Sequence, residues 1–489
     1  MSEISKRELF EQMPIPRAVA KLSVPTILSS LVALLYSLAD TYFVSSLGTQ
    51  ATAAVSVNSS LDMIIMMGGS MLAVGAASYI SRLLGAGNSE KANKVMSTSF
   101  FSALIFGAVI LLFGKIFVGP MVRLLGATPT CEQYSIDYAT YILYAAPFMA
   151  TSFVMNQTLR AEGNAMLSMI GMGIGGILNC ILDPFFILKE VHIFGMTFAG
   201  LGLEVAGASI ATAISKIIGF LILIMPYLLK HTQLRLSLKN ISYEKDIVKE
   251  VTTVGSSSLF RTGLSIISGI ILNNIAGGIS DSMLAAIGVS TKVMMFPFGF
   301  LLGFGQGYQP VAGYSWGAKN YQRVRAAYKF AAKTAIIGAA IMGLLMGIFS
   351  NQLIGLFSET DADLLRLGSL CIRLQCIALA AHGWVMIVNM FCGAIGDAFG
   401  AVFLAIARQG TCFLPIVFPM AFLFGEMGLC AVQGTADVIS IFLAIPIIRK
   451  VMKQVSEAED ELARSMAKES RALPRPEMGR SITAADLDD

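Results

Sequence analysis

The first half of the chain recurs in the second half. With an offset of about 232 residues, Ala53, Ala54 and Val57 fall on Ala285, Ala286 and Val289, and Gly75 falls on Gly307. Gly85, Ala86 and Asn88 fall on Gly317, Ala318 and Asn320. Ile116, Phe117, Leu124 and Thr128 fall on Ile348, Phe349, Leu356 and Thr360. A chain that repeats so long a unit folds as two like units, and each half is apolar enough for several membrane spans. Paired bundles of spans put a substrate site at the interface between two lobes. The repeat therefore predicts a two-lobed protein that moves something across a bilayer.

Charge usage supports the membrane reading. Charged residues make up 13% of the chain and hydrophobic residues 55%, with a mean hydropathy of +0.71. Soluble domains carry about 25% charged residues. The net charge of +4 is too small to suggest a nucleic-acid partner. The seven cysteines have no metal-type spacing and lie mostly in apolar runs, where they act as small hydrophobes. The N-terminal residues carry no short apolar stretch ending in a small-residue cleavage site, so no cleaved signal peptide is expected.

Long apolar runs predict an all-α polytopic membrane protein of twelve transmembrane helices in two pseudo-symmetric six-helix lobes. The first six runs lie near 18–44, 53–80, 95–118, 135–157, 165–188 and 206–229. The second six lie near 251–277, 283–312, 327–349, 367–391, 398–421 and 428–448. The lobes are then 1–229 and 251–448, joined by a charged cytoplasmic linker at 230–250 and followed by a cytoplasmic tail at 449–489. With the N-terminus inside, the outer loops hold only Lys115, Arg123, Lys189 and Arg366. Lys6, Arg7, Arg17, Lys21 and most other basic residues fall on inner segments. The positive-inside rule thus puts both termini in the cytoplasm of an inner or plasma membrane. The tail is expected to be a helix fraying into disorder.

Departures from the repeat point to chemistry. Asp40 and Asp183 lie inside the first and fifth spans, where the second half has Leu272 and Leu414. A charge at mid-helix costs about 2.5–3.5 kcal/mol on insertion scales, so two acids are not incidental. Both lie near the outer ends of helices that run outward. Asn179 is one turn below Asp183, and Tyr36 one turn below Asp40. These groups form a candidate ion-coupling site. Carboxyls held out of water could load and unload a proton, or their oxygens could coordinate Na⁺, as hard cations prefer oxygen. The bland alternative is a buried salt bridge from either acid to Lys216. The second half instead places Arg261, Lys292, Arg373 and Arg408 in spans, with no intramembrane acid to pair them. They form a cationic lining, or they snorkel or bond backbone carbonyls.

Other patterns read as architecture. The repeated SRLLGAGN (81–88) and YSWGAKN (314–320) suit a helix C-cap and tight turn. Arg160, Glu162, Gly163 and Asn164 suggest a structural or gating turn. GMGIGG (171–176) matches a dinucleotide fingerprint only formally, because it lies within a span; its small residues permit close helix contact. The three histidines form no metal-binding spacing and no nucleophile motif appears, so the chain is not expected to be an enzyme. The 27 methionines and 30 phenylalanines suggest an adaptable cavity, with Met63, Met66, Met155, Met294, Met295 and Phe298 as candidate lining residues.

Taken together, SLADTYFVSSLG (37–48), SRLLGAGN (81–88), RAEGNAMLSMIGM (160–172), NCILDP (179–184), AGASIATAIS (206–215) and GYSWGAKN (313–320) resemble the multidrug and toxic compound extrusion (MATE) family. The resemblance is closest to its bacterial MepA-like branch and covers about residues 10–450. It implies a monomeric antiporter that uses alternating access to expel lipophilic, mostly cationic small molecules in exchange for H⁺ or Na⁺, with no cofactor. It also implies that Asp40, Asn179 and Asp183 form the cation site. A further polar ligand, present in some relatives near the start of the sixth helix, falls here on Ala208, with Ser209 beside it and Thr212 one turn on. A flippase for a lipid-linked or anionic substrate is the alternative.

Overall fold

The computed structural model describes residues 8–45, 47–193, 196–357 and 361–472. Lys6, Arg7, Thr360 and the end of the expected tail at 473–489 lie outside them.

A short π-helical turn, Glu8–Gln12, precedes α1 (Ile15–Ser45), α2 (Thr49–Gly85) and α3 (Ser89–Ile116). Then come α4 (Glu132–Ala161), α5 (Ala165–Ile187) and α6 (Glu204–Leu228). The second set is α7 (Lys245–Ile279), α8 (Asp281–Gly317), α9 (Tyr321–Ile348) and α10 (Ala362–Ile395). Ala398–Ile406, the π-helical Ala407–Phe413 and Leu414–Ala472 form one further helical run. It reverses at Gly425, whose φ of 54° and ψ of −131° break the helix into α11 (398–424) and α12 (426–472). By length and composition ten runs are able to cross a membrane. The twelfth-helix count comes from the division at Gly425 and from α4. That helix falls short on hydropathy because its polar side chains, among them Asn156 and Arg160, are buried against neighbouring helices. Its face is covered by protein, so it need not be apolar.

Each predicted span has its helix, usually extended by a turn beyond the apolar run. Asn88 and Asn320 show why the extensions begin where they do: each accepts a hydrogen bond at 3.0 Å from the backbone N–H three residues on, Lys91 and Arg323. The intervening turns need positive φ at repeat-related places, 75° at Gly87 and 57° at Lys319. The repeated motif is therefore a helix–turn–helix joint. The antiparallel hairpin β1 (Glu190–Ile193) and β2 (Met196–Ala199), between α5 and α6, was not expected from the sequence.

The twelve helices form two lobes with separate cores. Ile65, Ile80, Met96, Ile142 and Leu143 centre the first, and Tyr308, Phe391 and Phe413 the second. The start of α1 crosses over to the second core through Ala18, Val19 and Leu22. Two repeat-related crossings join the lobes. Gly307 of α8 packs on the Ser23 backbone of α1, and Gly303 lies 2.8 Å, measured from an added Cβ, from Ile27 Cα. In the mirror position, Gly75 of α2 packs on Val251 of α7, and Gly255 on Met71. Gly85 and Gly317 abut the backbones of Tyr314 and Arg82. Arg82 adds an ion pair to Glu250 at 2.7 Å, and Ser78 bonds the Gly393 carbonyl. All these contacts lie in the halves of the helices nearest the two described chain ends.

Glu162, fully buried in the α4–α5 turn, accepts from Gln233 N at 2.9 Å and Leu234 N at 3.2 Å. The conspicuous turn thus anchors the segment that joins the lobes.

Candidate functional site

α5 runs toward the side away from the termini and carries Asn179 and Asp183 one turn apart on its inner face. The Asn179 amide donates to Asp183 Oδ1 at 2.9 Å and to Thr212 Oγ1 of α6 at 3.2 Å. Asp183 is fully buried. Pro184, in the last turn of α5, has no N–H to give to the carbonyl four residues back, and the helix ends three residues later at Ile187.

Asp40 on α1 and Asp62 on α2 complete an acidic set. Asp40 carries an electrostatic interaction with Asp183, and both Asp40 and Asp62 with Lys216 of α6. Tyr138 of α4 is buried among them and feels all three acids. Four buried oxygens have no hydrogen-bond donor among the described residues: Asp40 Oδ1, Asp62 Oδ1, Asn179 Oδ1 and Asp183 Oδ2. Buried polar atoms are rarely left unpaired. A site rich in acceptors and poor in donors is completed by protons or by a hard cation. The acids are strung across three helices rather than gathered in a cage, and no three His, Cys, Asp or Glu among the described residues are close enough to hold a metal ion.

Lys216 forms no salt bridge to Asp40 or Asp183. It donates to the Tyr36 hydroxyl at 2.7 Å and lies over that ring, 4.6 Å from its centroid. The two residues line a cavity of about 70 Å³ with Ala33, Ser152, Gly175 and Gly176, just below Asn179. Gly175 lets α5 approach the Ser215 carbonyl of α6, so the small-residue run acts in helix packing. Of the other polar candidates, Thr212 joins the site, while Ser209 turns back to its own helix at Ala206 O, 2.9 Å away.

Among the suggested lining residues, Met63 and Met295 are exposed, and Met66 and Phe298 are partly buried. Met155 and Met294 are buried in the two lobe cores. A methionine count cannot separate a cavity wall from a core, since both are apolar.

The basic residues of the second lobe differ from one another. Arg408 does have an intramembrane acid, which corrects the expectation that none was available: its Nε lies 2.5 Å from Asp437 Oδ1, and Asp437 is 3% exposed. Arg373 bonds Ser350 Oγ at 2.8 Å, and Lys292 is exposed. Arg261 makes one long contact, 3.4 Å to Ser258 Oγ. Asp62 and Asp437 are the acids the sequence reading missed. Both lie within predicted spans, and a residue-by-residue search of those runs for acids finds them.

Two six-helix lobes with separate cores, and an acid set inside one of them, define a two-lobed polytopic membrane protein. The family model described as MatE matches residues 25–185 and 258–423, and the chain belongs to that family. It is a multi-pass membrane transporter and not an enzyme. The chain is 28% identical over 454 residues to "Multidrug export protein MepA" of Staphylococcus saprophyticus, covering 93% of this chain and 98% of the relative. It is 27% identical over 456 residues to the Staphylococcus aureus protein of the same name, with the same coverage. Among solved structures, "Outward-facing conformation of a multidrug resistance MATE family transporter of the MOP superfamily" matches with a TM-score of 0.86 at 24% identity. That match covers 94% of this chain and all of the other. A Pyrococcus furiosus transporter of the same superfamily, described as having reverse polarity of its binding pocket, matches with a TM-score of 0.84 at 24% identity, covering 93% and 99% of the two chains. These likenesses establish the fold.

Proposed function

We propose that the protein is a cation-coupled exporter of lipophilic, mostly cationic small molecules, working by alternating access between lobes 1–229 and 251–448. The observation that carries this reading is the set of four buried oxygens without donors on α1, α2 and α5. Asp40, Asn179 and Asp183 take the coupling ion, with Asp62, Thr212, Tyr36 and Lys216 around them. Protons are the favoured ion, because the acids are spread out rather than caged. Both termini face the cytoplasm, and the lobes are packed together on that side, as an outward-facing exporter requires. Ion entry from outside displaces the cargo, and ion release inside resets the pump. The names of the MepA relatives support the substrate class.

The test is efflux of ethidium from everted vesicles under an imposed pH or Na⁺ gradient. The expected result is pH-driven efflux that is lost in Asp40→Asn and Asp183→Asn and reduced in Asp62→Asn. Full activity in the first two variants overturns the coupling site. No ethidium efflux by a folded wild type overturns the multidrug reading in favour of a lipid-linked or anionic substrate.

A further inference from the structure

The second lobe holds a cavity of about 50 Å³ between α7, α10 and α11, away from the acid set. Arg261, His382, Asn389, Arg408 and Gln409 supply its polar wall. About 10–15 Å³ of such space holds a water, so there is room for a group of a few heavy atoms. Two guanidinium groups face it and only one is neutralised. Asp437 occupies Nε and Nη2 of Arg408, at 2.5 and 3.4 Å, leaving Nη1 unbonded. Arg261 has no acidic partner among the described residues. His382 Nδ1 and Gln409 Oε1 are buried without a hydrogen-bond partner among the described residues. His382 Nδ1 stands 3.7 Å from Asp437 Oδ1, too far for a hydrogen bond.

The backbone of α11 is shaped to present this wall. Arg408 and Gln409 lie in the π-helical Ala407–Phe413, and Ser268 Oγ of α7 donates to the Gln409 carbonyl at 3.1 Å. Such widened turns often mark functional positions. Phe298 adds an aromatic face: the Arg408 guanidinium lies 5.0 Å from its ring centroid and the His382 ring 4.9 Å away. Arg261 and Asn389 also line a smaller cavity with Gln306, Gln309 and, from the first lobe, Gln157, so the two cavities share a wall and the smaller one lies where the lobes meet.

We propose that this cavity is a subsite for a carboxylate on the exported compound, held by Arg261 and the remaining face of Arg408. The proposal rests on the export reading and extends its substrate class to zwitterions. The planar guanidinium matches a carboxylate through two parallel hydrogen bonds. The first lobe offers negative charge and the second positive, so a compound bearing an amine and a carboxylate fits across the cleft better than a simple cation.

The test uses rhodamine B, which carries a free benzoate, and its methyl ester, which does not. Binding to the purified full-length protein is read by fluorescence polarisation for wild type, Arg261→Gln and Arg261→Lys. The expected result is tighter wild-type binding of rhodamine B than of the ester. Arg261→Gln then weakens rhodamine B about tenfold and leaves the ester within about twofold, and Arg261→Lys retains part of the preference. Unchanged ester binding also reports that the variant is folded. Equal wild-type affinity for the two dyes, equal loss of both in Arg261→Gln, or no loss of either overturns the subsite. If ethidium efflux persists in that case, only the subsite fails. If the wild type binds neither dye and exports no ethidium, the export reading fails with it.

Discussion

Lys216 on α6 donates to the Tyr36 hydroxyl of α1 at 2.7 Å while its charge is felt by Asp40 and Asp62. The lysine is therefore a tethered cation, held on a neutral partner within range of the acids. When the site holds no imported ion, it offsets part of their charge. At an effective dielectric of about 20, like or unlike charges within several ångströms interact by a few kcal/mol, so the balance matters.

Replacing that lysine with methionine removes the tethered charge and leaves the acids to attract the coupling ion alone. Lys216→Met is expected to lower the ion concentration that half-saturates efflux by about threefold to tenfold. It should also slow turnover, because the ion leaves less readily. Vesicle efflux measured across a series of imposed ion concentrations reads both effects. An unchanged half-saturation point shows that Lys216 serves packing alone.

One amide serves both a carboxylate and a hydroxyl at the other end of the site. Asn179 bridges Asp183 and Thr212, so Asn179→Ala leaves Asp183 with no donor on either oxygen. Losing a hydrogen bond to a buried charged group costs about 1.5–3 kcal/mol. Coupled efflux is expected to fall about tenfold in Asn179→Ala and about threefold in Thr212→Ala, where Asn179 keeps its bond to Asp183. Equal effects of the two substitutions contradict this hierarchy.

The spans, the two-lobe repeat and the Asn179–Asp183 pair were legible in the sequence because hydropathy and helical spacing act locally. The partners of Lys216 and Arg408 were not, since they depend on which helix faces which. Lysine at position 216 has a stem long enough for several neighbours, and only packing selects Tyr36 over an aspartate. Asp437 itself can be read from its span, but its pairing with Arg408 cannot, because the reversal at Gly425 separates the two in sequence. The hairpin after α5 is too short to leave a periodic pattern. Met155 and Met294 show the limit of composition, as nothing in their local sequence separates a core face from a cleft face.

Gly307 and Ser23 mark the closest approach of α8 and α1. A Cβ on Gly307 falls on the Ser23 backbone, which has no flexible end to move aside. Overpacking of this kind costs about 1–3 kcal/mol. The cost is paid only when the lobes meet, so Gly307→Val is expected to shift the population away from the lobe arrangement described here while the helices still fold. Spin-label distances between the lobes should broaden or shift, and efflux should fall at least fivefold with normal expression. Gly299, which has open space around an added Cβ, supplies the control: Gly299→Ala should change neither.

Asp437 and Arg408 form the buried ion pair of the second lobe, and their fates on substitution are coupled. Asp437→Asn leaves a guanidinium largely uncompensated within the protein, which costs about 3–5 kcal/mol when such a pair is broken from one side. The melting midpoint of the purified protein in detergent is expected to fall by several degrees. Adding Arg408→Gln removes the orphaned charge and should restore most of that loss, because a neutral amide pair asks for no charge compensation. The double variant also separates stability from recognition. It keeps Arg261, so a stable double variant should retain a weakened preference for rhodamine B over its methyl ester. Complete loss of that preference with the melting midpoint restored assigns carboxylate recognition chiefly to Arg408. A double variant no more stable than Asp437→Asn shows that the two side chains do not act as a pair.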